Sequence, residues 1–334
     1  MKKTHFLLLS LFLLCSCQGQ GEASSSYFGS KEDNTIELFP DNHFENGFKA
    51  LPGNKSFANG TYPENDFNDD VYLKYDENTP NGTWQIQQTG CIYDLNDVYN
   101  PITEAYPSKE GDFYKFEGYS NYLRVNPSSG EIVMGLDASK EYEAPRKDRE
   151  NWPHLLLQTS LVETTALSEL EALQFSIDLS LSVENKMSAS EYNPSLHAAQ
   201  FLLYFIVNSS SAVDAGEYFW FGIPFYDNRD EGARKPSAMI DNGTSGNTGK
   251  VIYQMGTSKI DPEGFQLEKD YDIRLDLLEE FSSALLEVQK LGRLTSTTVE
   301  DLSISYMNIG FELPGTFDCE ARFSNFSLLA TKGN

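Results

Sequence analysis

Positive charge is scarce in this 334-residue chain: 25 Lys and Arg stand against 50 Asp and Glu, a formal net charge of −25. A surface that negative repels phosphate backbones and anionic headgroups, which argues against nucleic-acid binding and electrostatic docking to lipid. Cysteine and histidine are also few, four of each. There is no Cys-x-x-Cys, and His43, His154 and His197 lie far apart without His-x-x-x-His spacing, so the sequence offers no zinc site. Phosphate loops, nucleophile elbows, His-based triads and fixed-period repeats are missing too. Beyond the N-terminus no apolar run reaches the roughly 18 residues a membrane helix needs. What is there in quantity is core material. Hydrophobic residues make up 40% and aromatics 13%, which excludes wholesale disorder and supports one large domain or two ordinary ones.

The first 17 residues read as an export address. Lys2 and Lys3 precede a short apolar stretch from Phe6 to Leu14, too short to span a bilayer. Leu14-Cys15-Ser16-Cys17 resembles the lipobox of bacterial lipoproteins. The resemblance implies a signal peptide at 1–16, lipidation of Cys17, a tether at 17–40 and a lipid as the only membrane anchor. Gln18 after the Cys, where Asp would signal retention, resembles the pattern sorted to the outer membrane, on its periplasmic or surface face. Two cysteines then remain. Cys91 and Cys319 either pair in the oxidising envelope or stay as two separate buried thiols.

Residues 41–70 carry many Asn, Asp, Gly and Pro and are expected to wrap irregularly over a domain at 71–332. No cofactor is expected; within 65–70 the run NDFNDD is the densest cluster for a structural calcium, but without EF-hand spacing it reads first as a solvated acidic loop. From 71 onward short runs alternate with turn residues, the habit of an all-β chain. The clearest run is 173–183, where Leu173, Phe175, Ile177, Leu179, Leu181 and Val183 alternate with polar residues. Residues 201–207 are apolar on both faces, as a central strand is. In 217–225, Phe219, Phe221 and Ile223 point one way while Tyr218, Trp220 and Gly222 point the other. One helix is expected over 277–291, with Leu278, Phe281, Leu285, Val288 and Leu291 at three- and four-residue steps and Gly292 behind them. The fold class is therefore all-β, two packed antiparallel sheets with one late α-helix covering an open end.

Three stretches carry a family likeness. They are Asn151-Trp152-Pro153-His154-Leu155-Leu156, the run from Phe219 to Arg229 (FWFGIPFYDNR), and the run from Ile309 to Phe317 (IGFELPGTF). Together they resemble the secreted, concanavalin-like jelly-roll proteins of carbohydrate-degrading bacteria. The resemblance implies a jelly-roll sandwich and an oligo- or polysaccharide partner. It does not choose among lectin-like modules, hydrolases and lyases. The Glu-x-Asp-x-x-Glu strand common among the glycanases of that superfamily is missing, and Glu141-Tyr142-Glu143 sits in a charged loop. The leading reading is non-catalytic glycan binding in polysaccharide utilisation. A glycoside hydrolase or polysaccharide lyase on the same fold, and an accessory lipoprotein without a sugar site, are the alternatives.

The candidate ligand-binding residues are Trp152, His154, Tyr218, Trp220, Tyr226, Asp227, Arg229 and Glu312. Aromatic rings stack on the apolar face of a sugar while polar groups at the rim meet its hydroxyls. Each has a purely structural counterpart: Trp220 as core, His154 as a satisfied structural residue, Asp227 with Arg229 as a loop-ordering salt bridge, and Glu312 as the partner of an Arg.

Overall fold

The computed structural model describes residues 34–53, 69–242 and 248–333. The signal segment, Cys17 and most of the acid-rich 65–70 cluster lie outside these. In chain order the strands are β1 (Thr35–Glu37), β2 (Phe48–Ala50), β3 (Val71–Leu73), β4 (Trp84–Gln87), β5 (Ser108–Glu110), β6 (Phe113–Glu117), β7 (Asn121–Asn126), β8 (Glu131–Asp137), β9 (His154–Ala166), β10 (Leu170–Asn185), β11 (Gln200–Ser209), β12 (Tyr218–Asp227), β13 (Ser237–Ile240), β14 (Val251–Gln254), β15 (Tyr271–Asp276), β16 (Leu302–Glu312) and β17 (Phe317–Lys332). Helix α1 spans Leu278–Lys290.

Two large sheets pack face to face. One has eight strands in the order β15-β10-β17-β8-β7-β6-β5, with β1 added against β17. The other has nine in the order β13-β14-β12-β11-β16-β9-β4-β2-β3. Both were expected to be antiparallel, and the eight-stranded sheet is. The nine-stranded sheet instead carries two parallel pairings on its flanks, β2 with β4 and β12 with β14. The alternation in β10 does what its period requires: Leu173, Phe175, Ile177, Leu179 and Leu181 are buried between the sheets and the residues between them face outward. Phe201, Leu203 and Phe205 of β11 and Phe219, Phe221 and Ile223 of β12 supply the opposing inner face.

The helix closes the gap between the sheets. Phe281 lies 4.3 Å from Phe221 and 6.2 Å from Phe205, ring centre to ring centre, on the inward side of β12 and β11. Ala284, Leu285 and Val288 are buried with it. Glu279 and Glu280 in the first turn and Lys290 in the last complement the helix dipole, and Gly292 with φ +74° follows the end.

The N-terminal part of the domain departs from expectation. In place of a tether to residue 40 and an irregular wrap to 70, β1 and β2 belong to the two sheets, and Phe39, Phe44 and Phe48 are fully buried around Trp84. Short strands rich in turn residues hide from periodicity. Three buried Phe rings contribute several kcal/mol at about 2 kcal/mol each, enough to fix the segment. Cys91 and Cys319 are buried at separate places and no disulfide joins them. Cys91 Sγ lies 3.3 Å from the carbonyl of His154, and Cys319 sits in β17 opposite Leu136.

Candidate functional site

The outer faces of the two sheets differ in chemistry. On the eight-stranded sheet the outward positions are charged and short: Asp178, Arg274 and Asp272 form one ion cluster, Glu131 and Arg322 another. On the nine-stranded sheet the outward positions of the central strands include amides, phenols and one indole among aliphatic residues such as Leu202 and Ile206, and most are recessed from solvent.

Register fixes which of these meet. Gln200 of β11 pairs with Asp227 of β12 on one side and Glu312 of β16 on the other, and Glu312 pairs with His154 of β9. These four side chains form a row across four strands. Asp227 enters the row through a bulge. The register slips between Phe201 and Leu202, so Tyr226 pairs with Phe201 and turns inward, and Asp227 returns to the outer face. Tyr226 therefore lies off this row: it packs against the core, edge-on to Phe265 at 6.5 Å, and burial pushes its phenol up to about 12.

Two rows further along, Tyr204 pairs with Gly222 and Asn308, Asn308 with Gln158, and Gln158 with Gln85. One row beyond, Ile206 lies between Trp220 and Tyr306. From the Gln200 row to the Ile206 row is six residues of β11, about 20 Å of strand. The face is thus a track with polar charged groups at one end and aromatics toward the other. Two glycines shape its floor. A Cβ on Gly310, which has φ +154°, would fall 2.1 Å from the Leu155 carbonyl oxygen; one on Gly222 would fall 2.5 Å from the Tyr204 ring that covers it.

At the charged end, Asp227 is clamped. Arg229 reaches it through Nε at 2.8 Å and Nη2 at 2.6 Å, Arg234 Nη2 sits at 2.9 Å, and Gln200 Nε2 donates at 3.0 Å. Burial alone would raise its carboxyl. The hydrogen bonds from the Arg229 side chain and N–H, with the charges of Arg229 and Arg234, outweigh burial and hold it below the ordinary value. Arg234 also bonds Gln254, whose Nε2 donates to the Tyr204 hydroxyl at 2.9 Å. Tyr204 is thus tied to the clamp, and burial and the nearby Glu312 charge keep it a neutral phenol.

Glu312 pairs not with an Arg but with His154, whose Nε2 is 3.7 Å from its carboxylate. Nδ1 of His154 lies 3.1 Å from the Thr89 carbonyl, which can only accept. In the neutral ring the proton therefore sits on Nδ1, and the Nε2 lone pair faces Glu312. Trp152 stacks on His154 at 6.0 Å and 20°, with the Arg146 guanidinium 5.8 Å from its ring. It remains 41% exposed. Trp220, by contrast, is 9% exposed, yet it faces outward and meets Tyr204 and Tyr218 edge-on at 6.1 and 5.9 Å. It belongs to the track and not to the inter-sheet core. Tyr218 stands half-exposed at the far end under the Lys250 ammonium, 4.8 Å from its ring centre.

Three polar atoms in the middle of the track are buried without a hydrogen-bond partner among the described residues: Gln158 Oε1, Asn308 Oδ1 and Tyr306 Oη. Buried polar atoms are normally satisfied, so these three, close together on adjacent strands, are candidates for completion by a ligand or by water; Asn121 Oδ1, Arg124 Nε and Asn151 Nδ2 are of the same kind off the track. The sequence reading passed over these residues, and also over Tyr204, Gln200, Gln254 and Arg234. Their signal was faint: an isolated Tyr or Asn at outward positions of strands that look apolar throughout.

Elsewhere, Glu141 accepts from the Ile92 N–H and from Ser120 and anchors loops, while Glu143 is exposed, so the two do not form a carboxylate pair. Among the described residues no group of three or more His, Cys, Asp or Glu is placed to hold a metal ion, and no helix is long and apolar enough to cross a membrane.

No protein-family model and no curated protein matches the chain. Among solved structures it is similar to a thermostable cellulase derived from that of Rhodothermus marinus, at 13% identity and TM-score 0.37, over 65% of this chain and 91% of that one. It is also similar to the xyloglucanase domain of a Sinorhizobium fredii effector in complex with cellobiose, at 11% identity and TM-score 0.34, over 67% and 94%. A family 12 xyloglucanase from Bacillus licheniformis follows at 10% identity and TM-score 0.35, over 67% and 98%. The fold assignment rests on the strand order described above.

Proposed function

We propose that this chain binds a glycan along the outer face of its nine-stranded sheet without cleaving it, as a lipid-anchored envelope protein of a polysaccharide-utilising bacterium. The observation that carries the reading is the trio of buried, unpartnered polar atoms, Gln158 Oε1, Asn308 Oδ1 and Tyr306 Oη, on a floor flanked by Trp220 and Tyr204. Sugar hydroxyls supply the missing bonds, and indole and phenol rings receive the apolar faces between them. Trp152 and Tyr218 extend the stacking surface at either end, and His154, Glu312 and Gln200 line the polar end.

The non-catalytic half of the reading is supported by the carboxyls. Glycoside hydrolysis uses two, about 5 to 10 Å apart, one of them able to give or take a proton. Glu312 and Asp227 lie on strands two spacings apart, about 10 Å at the backbone. Asp227 is held ionised by two guanidiniums, which removes it as an acid and blocks it as a nucleophile. The envelope location is supported by Leu14-Cys15-Ser16-Cys17.

The test is incubation of the chain from residue 18 with plant, algal and host polysaccharides, following gel retardation and the release of reducing or unsaturated ends together. Retardation without new ends is expected. New ends would replace the binding reading with an enzyme, and neither signal would leave an accessory lipoprotein. Cys17→Ser should move the full chain from the membrane fraction to the soluble one.

A further inference from the structure

We infer that the track takes an uncharged glycan and turns away its carboxylated counterpart; this deepens the glycan reading above and rests on it. Five cations near the face are bonded within the fold. Arg229 and Arg234 hold Asp227 at 2.6 and 2.9 Å, Lys250 holds Glu217 at 2.7 Å, and Lys49 holds Asp70 at 2.6 Å. Arg146 donates to the carbonyls of Asn151 and Leu196, both at 3.1 Å. Glu312 is in the opposite position. Its charge faces a single imidazole at 3.7 Å, with the nitrogen lone pair turned toward it in the neutral ring.

A uronate or sulfate laid along the track would therefore meet the Glu312 carboxylate, while the two guanidiniums that share its row through Asp227 are already bound to the Asp227 carboxylate. Like charges brought together in a recessed site repel more strongly than in open water. The chain's net charge of −25 adds a long-range barrier of the same sign. The unpartnered floor atoms select the other way. They belong to two amides and a phenol, all uncharged. A sugar hydroxyl both donates and accepts, so it satisfies the floor whichever way round each amide sits.

The experiment uses one polymer in two forms. The neutral polysaccharide that retards the protein most in the panel is oxidised at its primary hydroxyls, which converts them to carboxylates and leaves the linkages unchanged. Affinity of the chain from residue 18 is measured for both forms at pH 8, in low and in high salt, for the wild type and for Glu312→Gln. Oxidation should weaken binding by about tenfold or more in low salt. High salt and Glu312→Gln should each recover part of that loss, whereas a loss caused only by the missing hydroxyls would respond to neither. Equal or tighter binding of the oxidised form, a loss indifferent to salt and to Glu312→Gln, or a first binder that is itself a polyuronate overturns the inference and leaves glycan binding standing. No retardation by any polymer, neutral or anionic, removes the glycan reading and this inference with it.

Discussion

Gln158 and Asn308 are register partners across the β9–β16 pair, and each buries a side-chain oxygen that no described residue reaches. Tyr306, two residues before Asn308 on the same strand, does the same with its hydroxyl. An unsatisfied buried group costs about 1–3 kcal/mol, so the floor is held at a disadvantage that a ligand can relieve.

The sign of one substitution follows from this. Tyr306→Phe removes a hydroxyl that bonds no described residue of the chain. Thermal unfolding should stay level or move upward, while glycan affinity falls by about tenfold, the value of one good hydrogen bond. Thermal scans and calorimetric titration on the same preparation check both halves. A lower melting temperature would mean the hydroxyl is already bonded within the fold.

The two tryptophans should separate cleanly. Trp152 is 41% exposed, so Trp152→Ala should change stability by no more than about 0.5–1 kcal/mol and act on binding alone. Trp220 is 9% exposed between Tyr204 and Tyr218, so Trp220→Ala should cost about 3 kcal/mol as well as binding. Denaturant melts of the two variants, read beside their retardation on the same gel, decide it.

Asp227→Ala leaves two guanidiniums without their shared carboxylate. Breaking such a pair costs about 2–3 kcal/mol here, below the fully buried limit because Arg229 remains partly in water. The pH dependence has a definite sign. The native carboxyl titrates below the ordinary 3.8, so its stabilisation is fully present above that value and disappears as pH falls through the lowered native one. The stability gap between wild type and Asp227→Ala should be flat from neutrality to about pH 5 and close below 3.8. A gap that widened on acidification would contradict the clamp.

Gly310→Ala tests the floor's backbone. The added methyl would lie 2.1 Å from the Leu155 carbonyl oxygen at a φ of +154° that Ala disfavours. The cost should exceed about 1 kcal/mol, and hydrogen exchange should quicken at the β9–β16 pairing where the strand must shift. Unchanged stability would place Gly310 in a different conformation.

Local pattern alone determined much of this molecule. The alternation of 173–183 lies within Leu170–Asn185, and the expected helix over 277–291 matches Leu278–Lys290, because periods of 2 and 3.6 report directly which face is buried. The opposed faces of 218–223 were also legible, with Trp220 on one and Phe221 on the other. Three things needed the tertiary structure. Short β1 and β2 carry too few residues for a period, and only their partners β17 and β4 make them strands. The bulge beside Phe225 reverses the sense of Tyr226 and Asp227, and a register slip leaves no mark in composition. The row of Asp227, Gln200, Glu312 and His154 draws on four strands spread across 159 positions of the chain, from 154 to 312. The sequence sets each residue's chemistry and the face it takes on its own strand. Which of those faces stand side by side is decided by hydrogen-bond register between strands, a relation that exists only once the sheet has formed.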